Sequence, residues 1–170
     1  MSSRRAFFLL VLGAASTVLA PRFAFSAASA PAAKSPVTIQ FPAGWVVAKD
    51  GLSAQAPVPD RDAGGSFQAT VLIKQQAGTR VDPAAEQANI AKTFAGYTVV
   101  ERPTKFTTKS GLEGMFFSGT YKFGLTSMRT RSYLFIQNGQ IYTVTFTCLA
   151  SKWPAYQKII DDCAASLVIK

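Results

Sequence analysis

Residues Gly111–Lys170 read GLEGMFFSGTYKFGLTSMRTRSYLFIQNGQIYTVTFTCLASKWPAYQKIIDDCAASLVIK. Three aromatic-rich, β-branched runs are broken by turn residues, and a helical pattern and a last apolar run follow. Leu112–Phe123 and Ser127–Ile136 have strand composition, because β-branched and aromatic side chains suit a pleated surface better than a helix. Gly124 separates these two runs. Asn138-Gly139 lies between Ile136 and Ile141, and both central residues of a type I′ turn need positive φ, so this pair predicts a tight hairpin. The stretch therefore predicts a β-meander closed by a helix.

In the third run, Ile141–Leu149, Tyr142, Val144, Phe146 and Cys148 alternate with Thr143, Thr145 and Thr147. A period of two with one apolar side predicts that the first set faces a core. Ser151 is the expected N-cap of the next helix, and Pro154 falls in a first turn where its missing N–H costs nothing. Trp153, Tyr156, Ile160, Cys163, Ala164 and Leu167 recur at three- and four-residue spacing, which places one stripe against the sheet. Gln157, Lys158, Asp161 and Asp162 are then expected to face water.

Asn138-Gly139-Gln140-Ile141-Tyr142, Ser151-Lys152-Trp153, Lys158 and Ala165-Ser166-Leu167-Val168 together resemble the C-terminal end of PsbP-like domains. Phe41-Pro42-Ala43-Gly44-Trp45 resembles the opening of the same family. The likeness spans residues 37–170. It implies an α+β fold, a mostly antiparallel sheet flanked by helices in a PsbP-like α/β/α sandwich. It also implies a role as an extrinsic or assembly factor of photosystem II, on the lumenal side of the thylakoid. Fold transfers more readily than function along such a likeness.

Residues 1–28 read as an export signal. Arg4 and Arg5 are basic, Ala6–Ala20 is apolar, and small residues around Ser26-Ala27-Ala28 form a cleavage site. The apolar run is shorter than the roughly 20 residues a spanning helix needs. Ser3-Arg4-Arg5-Ala6-Phe7-Phe8-Leu9 resembles a twin-arginine signal, with an ordinary Sec signal as the alternative. Residues 29–36, rich in Ala, Pro and Ser, are expected to be a flexible tail. The product is expected to be exported and soluble, in the thylakoid lumen or a bacterial periplasm.

The rest is one domain, 37–170, because a chain of 170 residues with 48% hydrophobic residues can bury one sizeable core. Val37–Phe41 is an expected first strand, Trp45–Val47 and Leu52–Ala56 a hairpin around Asp50-Gly51, Pro57–Gly65 a loop, and Phe67–Gln75 a strand. Asp82-Pro83-Ala84-Ala85-Glu86 combines an N-cap acceptor, proline at the first helical position and an acid in the first turn, which predicts a helix start. Ala88, Ile90, Ala91 and Phe94 form its expected buried face, and Gly96 ends it.

The whole chain carries 18 basic and nine acidic residues, a net +9. Without Arg4, Arg5 and Arg22 of the signal, 15 basic residues remain against nine acidic, a net +6. Arg102, Lys105, Lys109, Lys122, Arg129 and Arg131 are accompanied only by Glu101 and Glu113, and are the expected partner-binding patch. Such a patch suits an acidic membrane-protein complex or an anionic membrane surface, or it is a solvated face that keeps the protein in solution. Nucleic acid is not an expected partner, since no recognition motif is present.

No histidine occurs in the chain. That removes Ser-His and Cys-His couples, the common zinc sites and the usual proton shuttle near neutral pH. There is no phosphate-binding or dinucleotide fingerprint. Asp60 and Asp62 fall short of the six to eight oxygens that calcium takes. No enzyme activity, cofactor or metal is expected.

Cys148 and Cys163, an even pair in an exported chain, are a candidate disulfide, with two buried thiols as the alternative. Two functions from different classes follow. One is a non-catalytic docking protein. The other is a periplasmic binding protein for a small or lipid-like ligand, with Phe106, Phe116, Phe117 and Tyr121 lining a groove.

Overall fold

The computed structural model describes residues 36–170. The expected export signal and nearly all of the expected tail lie outside the described residues. Among the described residues, eleven strands and two α-helices follow in order. The first six strands are β1 (Val37–Thr38), β2 (Val46–Val47), β3 (Ser53–Gln55), β4 (Asp60–Asp62), β5 (Gly65–Phe67) and β6 (Thr70–Ala77). After α1 (Pro83–Thr93) come β7 (Thr98–Thr107), β8 (Glu113–Phe123), β9 (Thr126–Gln137) and β10 (Gln140–Leu149). A 3-10 turn (Ala150–Lys152), α2 (Trp153–Ala165) and β11 (Val168–Ile169) close the chain.

Seven strands form one sheet in the order β2-β3-β6-β10-β9-β8-β7, and every pairing in it is antiparallel. β1 pairs with β11, and β4 with β5. The α+β class expected from the sequence is the observed one. The hairpin at Asn138-Gly139 also forms as expected, with φ of 52° and 72° at its two central residues.

The sheet carries a layer on each face, because alternate residues of one strand point opposite ways. Tyr133 and Phe135 of β9 and Tyr142, Val144, Phe146 and Cys148 of β10 pack with Trp153, Ile160, Ala164 and Leu167 from α2 and the segment after it. On the other face, Leu134 and Phe117 meet Ile90 of α1, with Phe94 and Tyr97 alongside. Tyr121, Met128 and Leu149 extend that second layer.

Several local expectations change. Asp82 caps α1 as predicted, accepting hydrogen bonds from the Ala84 and Ala85 amides. The buried stripe of α1, however, is Gln87 and Ile90 with half-buried Phe94, while Ala88 and Ala91 are exposed. Gln87 sits inward because its amide donates to the carbonyls of Glu101 and Ser118. Ser151 is not the cap of α2. That position belongs to Lys152, and the Ser151 hydroxyl donates instead to Asp62. The expected loop at 57–65 contains β4, whose hairpin with β5 is fastened to α2 by the Tyr156 hydroxyl donating to Asp60 at 2.8 Å.

The candidate disulfide is absent: Cys148 and Cys163 are both free and buried. α2 runs back along the sheet, so that β11 ends beside the β9–β10 turn, where the Asn138 amide donates to the Lys170 carbonyl. Cys163 is ten residues past Trp153, about 15 Å along the helix at 1.5 Å per residue. Cys148 stays at the far end of β10, and a bridge requires Cα atoms within about 7 Å. Burial pushes both thiols up to about 12, so they stay protonated near neutrality.

Candidate functional site

Six basic residues were expected to form one surface patch, and the structure divides them. Arg102 and Lys105 are exposed on β7, Lys109 is exposed in the turn that follows, and Lys122 is exposed near the end of β8. Arg129 and Arg131 point under α2, and their side chains are only 16% and 3% exposed. Their assignment to an exposed patch is corrected: they are interior residues.

The register of the β9–β10 hairpin is the reason. Its two-residue turn sets Gln140 opposite Gln137, and counting back along both strands sets Phe146 opposite Arg131 and Cys148 opposite Arg129. Residues directly opposite in an antiparallel pair share a face. Because Phe146 and Cys148 lie on the core face, both arginines must lie there too. That signal was present in the sequence, in the Asn-Gly turn and the alternation of β10 taken together.

Inside, the arginines meet two carboxylates from distant elements. Arg131 Nη2 donates to both Glu101 oxygens at 2.7 Å, and its Nη1 donates to Asp161 Oδ1 at 2.6 Å. Asp161 was expected to face water. Its half-buried carboxylate instead joins α2 to β9 and also accepts a hydrogen bond from the Tyr133 hydroxyl. The Ser118 hydroxyl donates to Glu101. Arg129 Nη2 reaches Ser118 Oγ at 3.3 Å and Glu101 Oε2 at 3.4 Å.

Aromatic rings cover both guanidiniums. Arg129 lies 4.4 Å from the centroid of Trp153, and Arg131 lies 4.9 Å from Trp153 and 4.8 Å from Phe116. Flat, weakly hydrated guanidinium suits such a stack better than ammonium would. Trp153 is 6% exposed, as its place on the helix stripe required.

Two arginines against two carboxylates make the cluster neutral. Burial alone would raise the Glu101 carboxyl, but hydrogen bonds from Arg131 and Ser118 and the charges of both arginines hold it below its ordinary value. Burial opposes charge on Arg131, yet its bonds to Glu101 and Tyr133 and the Asp161 charge raise its pKa. Burial and the bond to Asp161 push the Tyr133 phenol up. Glu101 and Arg131 are thus each held in the charged form by their partners, whereas burial pulls the Arg129 guanidinium below its ordinary value. The arrangement acts as a clamp that joins β7, β8, β9 and α2.

Of the four exposed cations, Arg102 and Lys105 lie on β7, Lys109 just beyond its end and Lys122 near the far end of β8. β7 is an edge strand that pairs only with β8, and its register shifts between Val99 and Glu101 and between Glu101 and Thr104. Bulges, Pro103 and charged side chains all discourage a foreign strand from adding to such an edge. At the Lys109 end the Lys109 amide donates to the Ala165 carbonyl at 2.8 Å, and at the other end the Lys122 amide donates to the Ala95 carbonyl at 3.4 Å. Glu101 faces inward to the arginines, so Glu113 is the exposed acid of the β7–β8 pair.

Phe106, Phe116, Phe117 and Tyr121 do not line a groove. Phe117 and Tyr121 are buried on the α1 side, and Phe106 and Phe116 pack against the α2-side core. A cleft of about 640 Å³ lies elsewhere, between Phe41, Trp45, Lys109, Lys158 and Ile159. Among the described residues no three His, Cys, Asp or Glu side chains converge as a metal site, and no helix is long and apolar enough to cross a membrane.

No protein-family model and no curated protein matches the chain. Solved structures do match. LpqN of Mycobacterium tuberculosis, involved in cell envelope biogenesis, has a TM-score of 0.56 at 12% identity, over 79% of this chain and 83% of that one. The protein of unknown function PA94 from Pseudomonas aeruginosa has a TM-score of 0.55 at 13% identity, over 69% and 81%. CyanoP, the cyanobacterial PsbP of Synechocystis sp. PCC 6803, has a TM-score of 0.47 at 10% identity, over 85% and 99%. LpqN and PA94 share the fold of this chain, an α/β/α sandwich built on an antiparallel sheet. Within that fold the chain pairs a partly buried ionic clamp with a basic free edge.

Proposed function

We propose that this chain is a non-catalytic docking protein of an exported compartment, which binds an acidic membrane-protein complex through the β7 edge. The observation that carries this reading is the set of exposed cations Arg102, Lys105 and Lys109 on and just beyond an edge strand whose bulges and proline disfavour strand addition. Charge of one sign over such a surface steers association and weakens with salt. The carboxylates Glu101 and Asp161 are engaged by Arg131, Ser118 and Tyr133. Docking of this kind requires no cofactor.

LpqN, of the same fold, is involved in cell envelope biogenesis, a setting compatible with this role in a bacterial periplasm. The likeness of residues 37–170 to PsbP-like domains makes photosystem II the partner to examine first, on the lumenal face of the thylakoid. Membranes of the source organism, loaded with the protein at low salt and eluted with rising sodium chloride, provide the test. Release is expected within the range where surface charge is screened, and R102E/K105E is expected to abolish capture. Capture indifferent to both salt and substitution would contradict edge docking. It would favour instead a ligand held in the cleft between Trp45 and Lys109.

A further inference from the structure

The connection from β8 to β9 is Gly124-Leu125. Gly124 takes a φ of 60°, while Leu125 is not among the residues of positive φ. That is the pattern of a type II′ turn, which requires glycine only at its first central position. The second position accepts polar residues, so nothing in the turn calls for leucine. Yet Leu125 is 89% exposed, the highest value among the exposed large hydrophobic side chains of the described residues, and Phe123 just before the turn is 46% exposed.

The tip is propped from both sides. Lys122 N donates to the Ala95 carbonyl beyond α1, and Thr126 Oγ1 donates to the Gly64 carbonyl at 2.9 Å. The β4–β5 turn sits so close that a Cβ added at Gly64 would lie 2.6 Å from the Leu125 carbonyl oxygen. The backbone of the tip is therefore packed while the Leu125 side chain projects away from it.

A single exposed leucine is ordinary on a protein surface, but the charge around this one is not. No Asp or Glu occurs from Gly114 to Ile160, so the one acid on the two arms of the hairpin is Glu113, at the end of β8 away from the tip. Lys122 is exposed next to Phe123, and Arg61 is exposed on the neighbouring β4. The acid beside the β4–β5 turn, Asp62, accepts hydrogen bonds from the Gly64 amide and the Ser151 hydroxyl.

We propose that the Phe123–Leu125 tip inserts into the interfacial layer of a membrane containing anionic lipid. The two apolar side chains enter the acyl boundary and Lys122 stays at the headgroup phosphates. Long basic side chains bury their stems and keep their charge in water, and apolar groups with adjacent cations bind anionic bilayers reversibly. A lipid surface suits this tip better than a protein does. A stable protein interface covers about 800 Å² per partner with matched shape, whereas the tip offers two side chains on a convex end. The site is separate from the row on β7, so R102E/K105E and the tip variants test the two surfaces independently.

The experiment compares the full chain with F123S/L125S, K122E and L125W, on vesicles of phosphatidylcholine with and without phosphatidylglycerol. All carry the same residues 1–35, and unchanged melting temperatures establish that the substitutions spare the fold. F123S/L125S is expected to weaken partitioning onto the anionic vesicles by about tenfold or more. The L125W indole, read above the background of Trp45 and Trp153, is expected to shift its emission to shorter wavelength on those vesicles and not on phosphatidylcholine alone. An L125W emission that vesicles leave unchanged overturns the proposal. So does partitioning that K122E abolishes and F123S/L125S does not alter, which is binding by surface charge alone. An indole that responds only to an acidic protein fraction also overturns it, in favour of a protein partner.

Discussion

Arg102 and Arg131 carry the same side chain on strands of the same sheet, and their surroundings give them opposite tasks. Arg102 stands in a bulged edge strand in contact with water. Arg131 is 3% exposed and bonded to both Glu101 and Asp161. An exposed charge contributes little to stability, so selection on it acts through what it meets from outside. Arg131 has given up its hydration, and a buried charge that loses its partners is stranded at a cost of about 3–5 kcal/mol. The same formal charge is thus a contact group in one place and a structural element in the other. Arginine content alone does not measure the size of a docking surface.

Trp153 gives the largest expected effect on the interior side of this contrast. It is buried, and it covers both Arg129 and Arg131. Trp153→Ala is expected to cost about 3–5 kcal/mol, a large share of the about 5–15 kcal/mol that holds a domain together. Denaturant melts would show it as a lowered midpoint. A midpoint close to that of the parent would mean that α2 is not held through this ring.

A smaller effect belongs to Glu101. Its carboxyl in the folded protein lies below the ordinary 4.5, so the folded state binds fewer protons than the unfolded one as that value is approached from above. Its contribution is therefore fully present above about pH 4.5 and is lost as the pH falls through the lowered folded value. Glu101→Gln is expected to be less stable than the parent near neutrality, with the difference narrowing in acid. A difference that stays constant down to low pH would mean that the carboxylate charge is not what binds the clamp together.

Much of the frame was legible in the sequence because it rests on local chemistry. Asn138-Gly139 names its own turn, Asp82-Pro83 its own helix start, and the alternation along β10 its own core face. Trp153 declared itself by its place on the stripe of α2. What escaped were relations between elements. Arg129 and Arg131 share one strand face by the period of two, but which face that is depends on register across the hairpin. Glu101 reaches Arg131 only because β7 shifts register on both sides of it, and Asp161 only because α2 docks at one angle. Cys148 and Cys163 looked close because helix follows strand directly, and the direction of α2 separates them. Opposed chains reveal themselves through turns, whereas contacts made across bulges and layers leave no mark at any single position.

Charge reversal at the two sites, followed by thermal melting of both variants beside the parent, tests the division between clamp and edge most directly. In R131E a third carboxylate would join Glu101 and Asp161 in a nearly closed space, and loss of cooperative folding or a deep fall in melting temperature is expected. In R102E/K105E the same change is made in water, and a shift of no more than about 0.5 kcal/mol is expected. Two variants that melt alike, whether both near the parent or both far below it, would contradict the account.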